Sequence, residues 1–179
     1  MIFGFDSAVV FTAIVGLVAV ERLFEMVLGR RNLKRALARG GVRYGQGHWP
    51  WMVLLHTTFL LACPAEVWLA DRPFVAAQFW GFGVVVVLTM SLRYWVIATL
   101  GDRWNPQIVV VPDDVRITRG PFRYLSHPNY LAVVIELFAL PMMHGAWGVA
   151  IAYGVANGVL LRTRVREEER VLRAELRAP

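Results

Sequence analysis

The stretch Gly120-Pro121-Phe122-Arg123-Tyr124-Leu125-Ser126-His127-Pro128-Asn129-Tyr130 sets the reading of the whole chain. It joins a turn, aromatic rings, a cation and a histidine to the start of an apolar run, Leu131 to Pro141, which carries one acid, Glu136. Polar groups set directly against an apolar run of helical length place chemistry at a membrane boundary. Proline suits the first turn of a helix and cannot continue one, so the helix is expected to start at Pro128 with His127 just outside it. The imidazole, or the unpaired amides that follow it, would then face a ligand's polar groups; a capping histidine at an interface is the plain structural alternative.

Outward from that stretch, the composition is that of a membrane protein. The chain has 179 residues, is 57% hydrophobic and has a mean hydropathy of +0.49, above the ~45–50% apolar content of an ordinary soluble domain. Apolar runs cover Ile2 to Leu28, Trp49 to Ala70, Phe74 to Leu100 and Tyr130 to Leu161, the last broken by Pro141 and His144-Gly145. About 20 residues cross the hydrocarbon core, so the first three runs each suffice for one span and the fourth for a short hairpin. Positive charge follows the first run and no small-residue cleavage site closes it, so it reads as a span and not as a cleaved signal. The fold class expected is an all-α integral membrane protein, one domain over residues 1–179. It would have about five transmembrane helices, the last two a helical hairpin, and then a cytoplasmic C-terminal amphipathic helix.

Charge supplies the orientation. Arg30, Arg31, Lys34, Arg35, Arg39 and Arg43 lie between the first two runs; Arg103, Arg116, Arg119 and Arg123 lie between the third and fourth; Arg162, Arg164, Arg166, Arg170, Arg173 and Arg177 follow the fifth span. Short cytoplasmic loops retain basic residues, so all these fall inside, with the amino terminus outside. Arg22 and Arg93 sit near inner helix ends, and Arg72 alone belongs to an outer loop. The net charge of +6 flanks apolar runs and forms no aromatic-interleaved patch, which argues against nucleic acid as a partner. Cys63 is the only cysteine, so no intrachain disulfide is available, and no metal site is expected.

Between the spans, Arg30 to Arg39 is expected to be a basic helical stretch able to lie on anionic headgroups. The glycines Gly40-Gly41 and Gly45-Gln46-Gly47 lack both a preceding strand and nucleotide-loop spacing, so they read as a flexible turn. Trp49 and Trp51 fit an interfacial aromatic belt, and Ile108 to Val111 is long enough for a short strand. Inside the runs, His56, Glu66, Arg93 and Glu136 are ionisable and therefore costly. Glu66 and His56 are explained by snorkelling or hydrogen bonding. Arg93 either snorkels, neutralises Glu136 or meets substrate. Glu136, under two turns past Tyr130, sits near the depth that a lipid's reactive head would reach. Beyond the hairpin, Val165, Leu172 and Leu176 form one stripe, with Arg164 and Glu168 spaced to pair. The run Glu167-Glu168-Glu169 in this arginine-rich tail suits a cationic or hydroxyl-rich ligand.

Arg123-x-x-x-His127-Pro128-x-Tyr130, followed after the last helix by Glu168-Glu169-x-x-Leu172, resembles the signature of the isoprenylcysteine carboxyl methyltransferase family. The likeness runs over roughly residues 88–176, half the chain, which it marks as the cofactor-binding half. It implies S-adenosyl-L-methionine bound on the cytoplasmic side by His127, Pro128, Asn129 and Tyr130, by residues near Ile117 and Gln107, and by Glu168. Arg164 would contact the substrate; Glu136, by its depth and not by the resemblance, is the second candidate catalytic group. Many relatives have arginine where Ser126 stands, and Arg123 would supply that charge. Glu21-Arg22-x-x-Glu25, Arg30-Arg31-Asn32, His48-Trp49-Pro50 and Leu55-His56-Thr57 look like the bacterial branch associated with polyketide phenols and pyrones. The resemblance thus implies O-methylation of a membrane-embedded lipid in a bacterial inner membrane: an alkylresorcinol- or alkylpyrone-type molecule, or a prenylcysteine carboxylate. Sterol-reductase-like membrane enzymes that use NADPH, phospholipid N-methylation and a non-enzymatic scaffold are the rival readings.

Overall fold

The computed structural model describes residues 2, 4–112 and 114–175; the expectations for Leu176 and Arg177 lie outside these residues. Five helices dominate it: α1 (Ser7–Ala38), α2 (Trp49–Leu69), α3 (Ala76–Leu100), α4 (Pro128–Met142) and α5 (Trp147–Glu175). Two short strands, β1 (Val42–Tyr44) and β2 (Ile108–Val110), and 3-10 turns at Gly101–Arg103 and Gly120–Arg123 complete it. Helices α1, α2 and α3 are long and apolar enough to cross a membrane. At 1.5 Å per residue the 15-residue α4 is about 22 Å long, shorter than the ~30 Å of hydrocarbon.

The packing follows membrane rules. Large apolar side chains such as Leu17, Leu23, Phe24, Val87, Leu88 and Val155 point outward, which lipid tolerates and water does not. Lipid tails are as apolar as leucine, so the interior is held by close contact of small and well-fitted groups. Ala132, in the second turn of α4, and Ala139, Ala146 and Ala150, around the α4–α5 turn, are fully enclosed, as are Phe11, Phe79, Leu137 and Leu140. Helix α4 lies along α3, α5 returns against α4 and α2, and α1 packs on α2.

Several expectations change here. The basic stretch Arg30 to Arg39 is no separate surface helix; it is the last third of α1, which runs unbroken to Ala38. Its buried Asn32 donates to the carbonyls of Gly101 and Trp104 at 3.2 and 2.8 Å, because the helix face there meets the loop after α3. The tail is likewise no separate amphipathic helix: α5 continues without interruption from Trp147 to Glu175. In the tail the enclosed residues are Arg164 and Val171; of the expected stripe, Leu172 packs part-buried on the same cluster as Val171. The reason is β2. The strand expected near Ile108 forms and pairs antiparallel with β1, Val42 against Val110 and Tyr44 against Ile108. Ile108 and Val110 then pack on Val171 and enclose it.

At the opposite end, Glu66 is explained structurally. Its carboxylate accepts from the amides of Gly148 and Val149 at 3.1 and 2.6 Å and pairs with Arg72. It thereby satisfies the first turn of α5 from another helix. His144, enclosed beside Phe11 and Phe74, contacts Ser7 Oγ at 3.1 Å.

Candidate functional site

The loop from Gly101 to His127 is positioned from both sides. Asn105 donates to the Gly29 carbonyl, and a Cβ at Gly29 would stand 2.5 Å from Pro106 Cδ, so only glycine lets α1 and this loop approach so closely. Gly120, at φ +62° and pressed on Thr99, starts the turn that returns the chain to α3. The loop therefore forms the roof of a cavity of about 200 Å³ beside the C-terminal end of α3, the start of α4 and residues 164–172 of α5.

Tyr130 is the centre of that cavity. Arg164 Nε donates to its hydroxyl at 2.8 Å, and the hydroxyl donates to Glu168. The Arg164 guanidinium lies over the same ring, 5.2 Å from its centroid, and Arg164 Nη2 donates to the Pro106 carbonyl at 2.5 Å. The His127 imidazole stacks on Tyr130 with centroids 5.4 Å apart and contacts Glu169 at 3.2 Å. Arg164 and Glu168, spaced to pair along one helix, thus meet on a phenol from another. Such a chain of charge-assisted bonds fixes all three side chains together.

Most of the residues expected at the site converge. Gln107, Ile117, His127, Pro128, Asn129, Tyr130, Arg164 and Glu168 all line the cavity. Arg123 does not; it is exposed and lies over the Tyr124 ring. Glu136 does not line it either. It accepts from Arg22 at 2.9 Å and faces Arg93 at 3.9 Å, inside an ion cluster that also holds Glu25. The neutralisation of Glu136 by Arg93 is therefore part of a larger arrangement, in which Glu25 takes the main share of Arg93 through two bonds of 2.5 and 2.8 Å. The sequence reading missed Glu21 and Glu25 as interior charges, although their i, i+4 spacing inside an apolar run was a usable signal. It also missed Trp104 and Phe122, which line the cavity and have no local pattern to announce them.

Two features make the cavity a place for a polar ligand. The N-terminus of α4 has no side-chain cap and no acid in its first turn, so its positive end is free for an anion. Asn129 Oδ1, shielded from solvent, has no hydrogen-bond partner, an acceptor that costs free energy until a donor arrives. Nearby, His48 at the start of α2 has its pKa lowered by burial and then by the Arg164 charge, which keeps positive charge at this rim on the arginines.

The model of the isoprenylcysteine carboxyl methyltransferase (ICMT) family matches residues 81–174. The chain is 31% identical over 163 residues to the Bacillus subtilis (strain 168) protein described as uncharacterized protein YpbQ, covering 90% of this chain and 96% of that one. A Haemophilus influenzae (strain ATCC 51907 / DSM 11121 / KW20 / Rd) uncharacterized protein is 24% identical over 149 residues, or 83% of this chain and 86% of its own. No solved structure matches. The chain belongs to the isoprenylcysteine carboxyl methyltransferase family, and with its three membrane-capable helices it is a membrane protein of that methyltransferase family.

Proposed function

We propose that the protein is an S-adenosyl-L-methionine-dependent O-methyltransferase acting on a lipid-like acceptor within a bacterial inner membrane. The observation that carries this reading is the convergence of His127, Tyr130, Arg164 and Glu168 from two helices on one cytoplasmic cavity. The residues present suit the methyl donor. The uncapped start of α4 at His127 and Pro128 offers amides to a carboxylate, Glu168 accepts from hydroxyl or ammonium groups, and Gln107 and Ile117 line the remaining wall. Bound there, the donor would supply an electrophilic methyl group on a sulfonium.

What the chain itself contributes is placement and charge. Arg164, fixed by Tyr130 and the Pro106 carbonyl, favours the anionic form of an acceptor oxygen beside it. Holding that oxygen in line removes much of the entropic barrier to a bimolecular step. The acceptor would enter sideways between helices. Alkylresorcinol- or alkylpyrone-type phenolic lipids fit this reading, as does a prenylcysteine carboxylate. We extend the proposal to the whole chain as one domain with five spans, residues 88–176 holding the cofactor, the amino terminus outside and α5 ending in the cytoplasm.

Calorimetric titration of the purified protein in detergent with S-adenosylhomocysteine and, separately, NADPH tests the reading. Saturable binding of the first, lost in His127→Ala, is expected; binding of NADPH alone would overturn it in favour of a reductase. Lipid mass spectrometry of a deletion strain should then reveal a species lighter by one methylene.

A further inference from the structure

A second polar level lies deeper in the helix bundle than the cavity, and all five helices contribute to it. On α1, Gly29 touches the cavity roof, and Glu25, Arg22 and Glu21 follow about 6 to 12 Å further into the membrane. On α3, Arg93 lies about 10 Å below Leu100, a cavity residue; on α4, Glu136 lies about 9 Å below Tyr130. On α5, Asn157 is about 10 Å below Arg164 and on the same face, two turns away. On α2, His56 is within electrostatic reach of Arg22 and Arg93 on one side and of Arg164 on the other.

The charges at this level do not balance. Arg22 contacts Glu21, Glu25 and Glu136 at 3.1, 2.7 and 2.9 Å, and Arg93 is committed mainly to Glu25. Three carboxylates against two guanidinium groups leave one negative charge in the interior. Glu21 is the carboxylate least well satisfied: it meets Arg22 at 3.1 Å, and its oxygens, shielded from solvent, make no well-formed hydrogen bond there. Asn157, 1% exposed, has its Oδ1 unpartnered as well. Buried acceptors without donors are costly, so this level is built to receive a proton or a donor group.

We propose that the level formed by Glu21, Arg22, Glu25, Arg93, Glu136 and Asn157 lies beneath the acceptor's reactive oxygen, which Arg164 holds at the cavity, and that Glu21 takes the proton the acceptor loses. The inference rests on the methyltransferase reading and narrows its acceptor to a hydroxyl compound, phenolic or enolic. In the transfer, the acceptor's O–H bond breaks and an O–CH3 bond forms; the electron pair of the cleaved S–CH3 bond goes to sulfur. The positive charge that leaves the sulfonium is matched by the proton, which the excess carboxylate stores. A carboxylate acceptor, ionised beforehand, releases no proton and needs no such store. The charged or titratable groups around Glu21 are Arg22 and Glu25 on α1, His56 on α2, Arg93 and Tyr94 on α3 and Glu136 on α4, with Arg164 on α5 at the cavity level.

The test uses the full chain in detergent with S-adenosylhomocysteine bound. Infrared difference spectra taken from about pH 5 to about pH 9 should show one titrating carboxyl band that Glu21→Gln lacks and Glu21→Asp keeps. With pentadecylphenol as acceptor and S-adenosylmethionine as donor, Glu21→Gln should lower kcat about a hundredfold with KM within about twofold. Glu21→Asp should restore part of the rate and its pH dependence. An unchanged band, or wild-type kinetics in Glu21→Gln, would overturn the assignment. Failure of the wild type to bind S-adenosylhomocysteine would instead end the methyltransferase reading, and the infrared band then decides the proton site alone.

Discussion

Two helix N-termini in this molecule face the same electrostatic problem and solve it in opposite ways. At one end of the bundle, the first amides of α5 are closed off by Glu66, a carboxylate from α2 that is itself held by Arg72. At the opposite end, the first turn of α4 has no side-chain cap, and His127, Pro128 and Asn129 face a cavity. Both ends carry partial positive charge and unpaired N–H groups. A protein that can supply a carboxylate across 82 residues of sequence for one end could have closed the other. The open end is therefore the one with work to do; of the acids near it, Glu168 is engaged by Tyr130 and Glu169 by the His127 ring.

The contrast can be broken at its open end first. Glu168→Ala removes the acceptor of the Tyr130 hydroxyl and leaves the enclosed Arg164 without its balancing charge; about 3 kcal/mol of ligand binding should be lost. Titration with S-adenosylhomocysteine should record this as a loss of about a hundredfold in affinity. Gly29→Ala should follow at about tenfold, about 1.4 kcal/mol, because its Cβ would displace Pro106, whose carbonyl holds Arg164. The same titration reads it, and thermal unfolding should change less than binding does.

At the closed end the sign of the contrast reverses. Glu66→Ala should cost about 1–2 kcal/mol of stability, as loss of a helix cap does, and leave S-adenosylhomocysteine affinity unchanged; a large fall in affinity would erase the distinction between the two ends. Smaller is the effect of His48. Its pKa is lowered on folding by burial and by Arg164, so the unfolded chain binds the proton more readily. The contribution of His48 is intact above about pH 6.5 and declines as pH falls below it. Melting temperatures measured across that window should drop less in His48→Gln. Smallest is Asp102→Asn. It breaks an exposed pair with Arg35 and should change stability by less than about 1 kcal/mol, in denaturant titration at low salt.

Much of the cavity was legible beforehand because its parts lie in short, chemically dense segments. His127-Pro128 marks a helix start by the geometry of proline alone, and the run of glutamates after Arg164 is conspicuous among arginines. Arg123 lies four residues before His127, and Glu136 at the depth along α4 that suits a lipid head, so the sequence places both at the site. The backbone separates them: Arg123 faces outward from a 3-10 turn, and Glu136 is drawn to Arg22, 114 residues away. The β1–β2 pair had a similar fate, since three residues carry too weak a pattern for their partner to be read from periodicity.

The sequence by itself determined that this is a helical membrane protein, where α4 begins, and which residue types gather near its start, because hydropathy, proline stereochemistry and charge asymmetry are local properties of the chain. Only the tertiary structure decided that Tyr130 joins Arg164 to Glu168, that Glu66 serves another helix, and that Glu21 shares its arginine with two other carboxylates. Those outcomes depend on which helix faces which. In a bundle held by close packing, side-chain fit summed over the whole interface sets that choice, and no single segment encodes it.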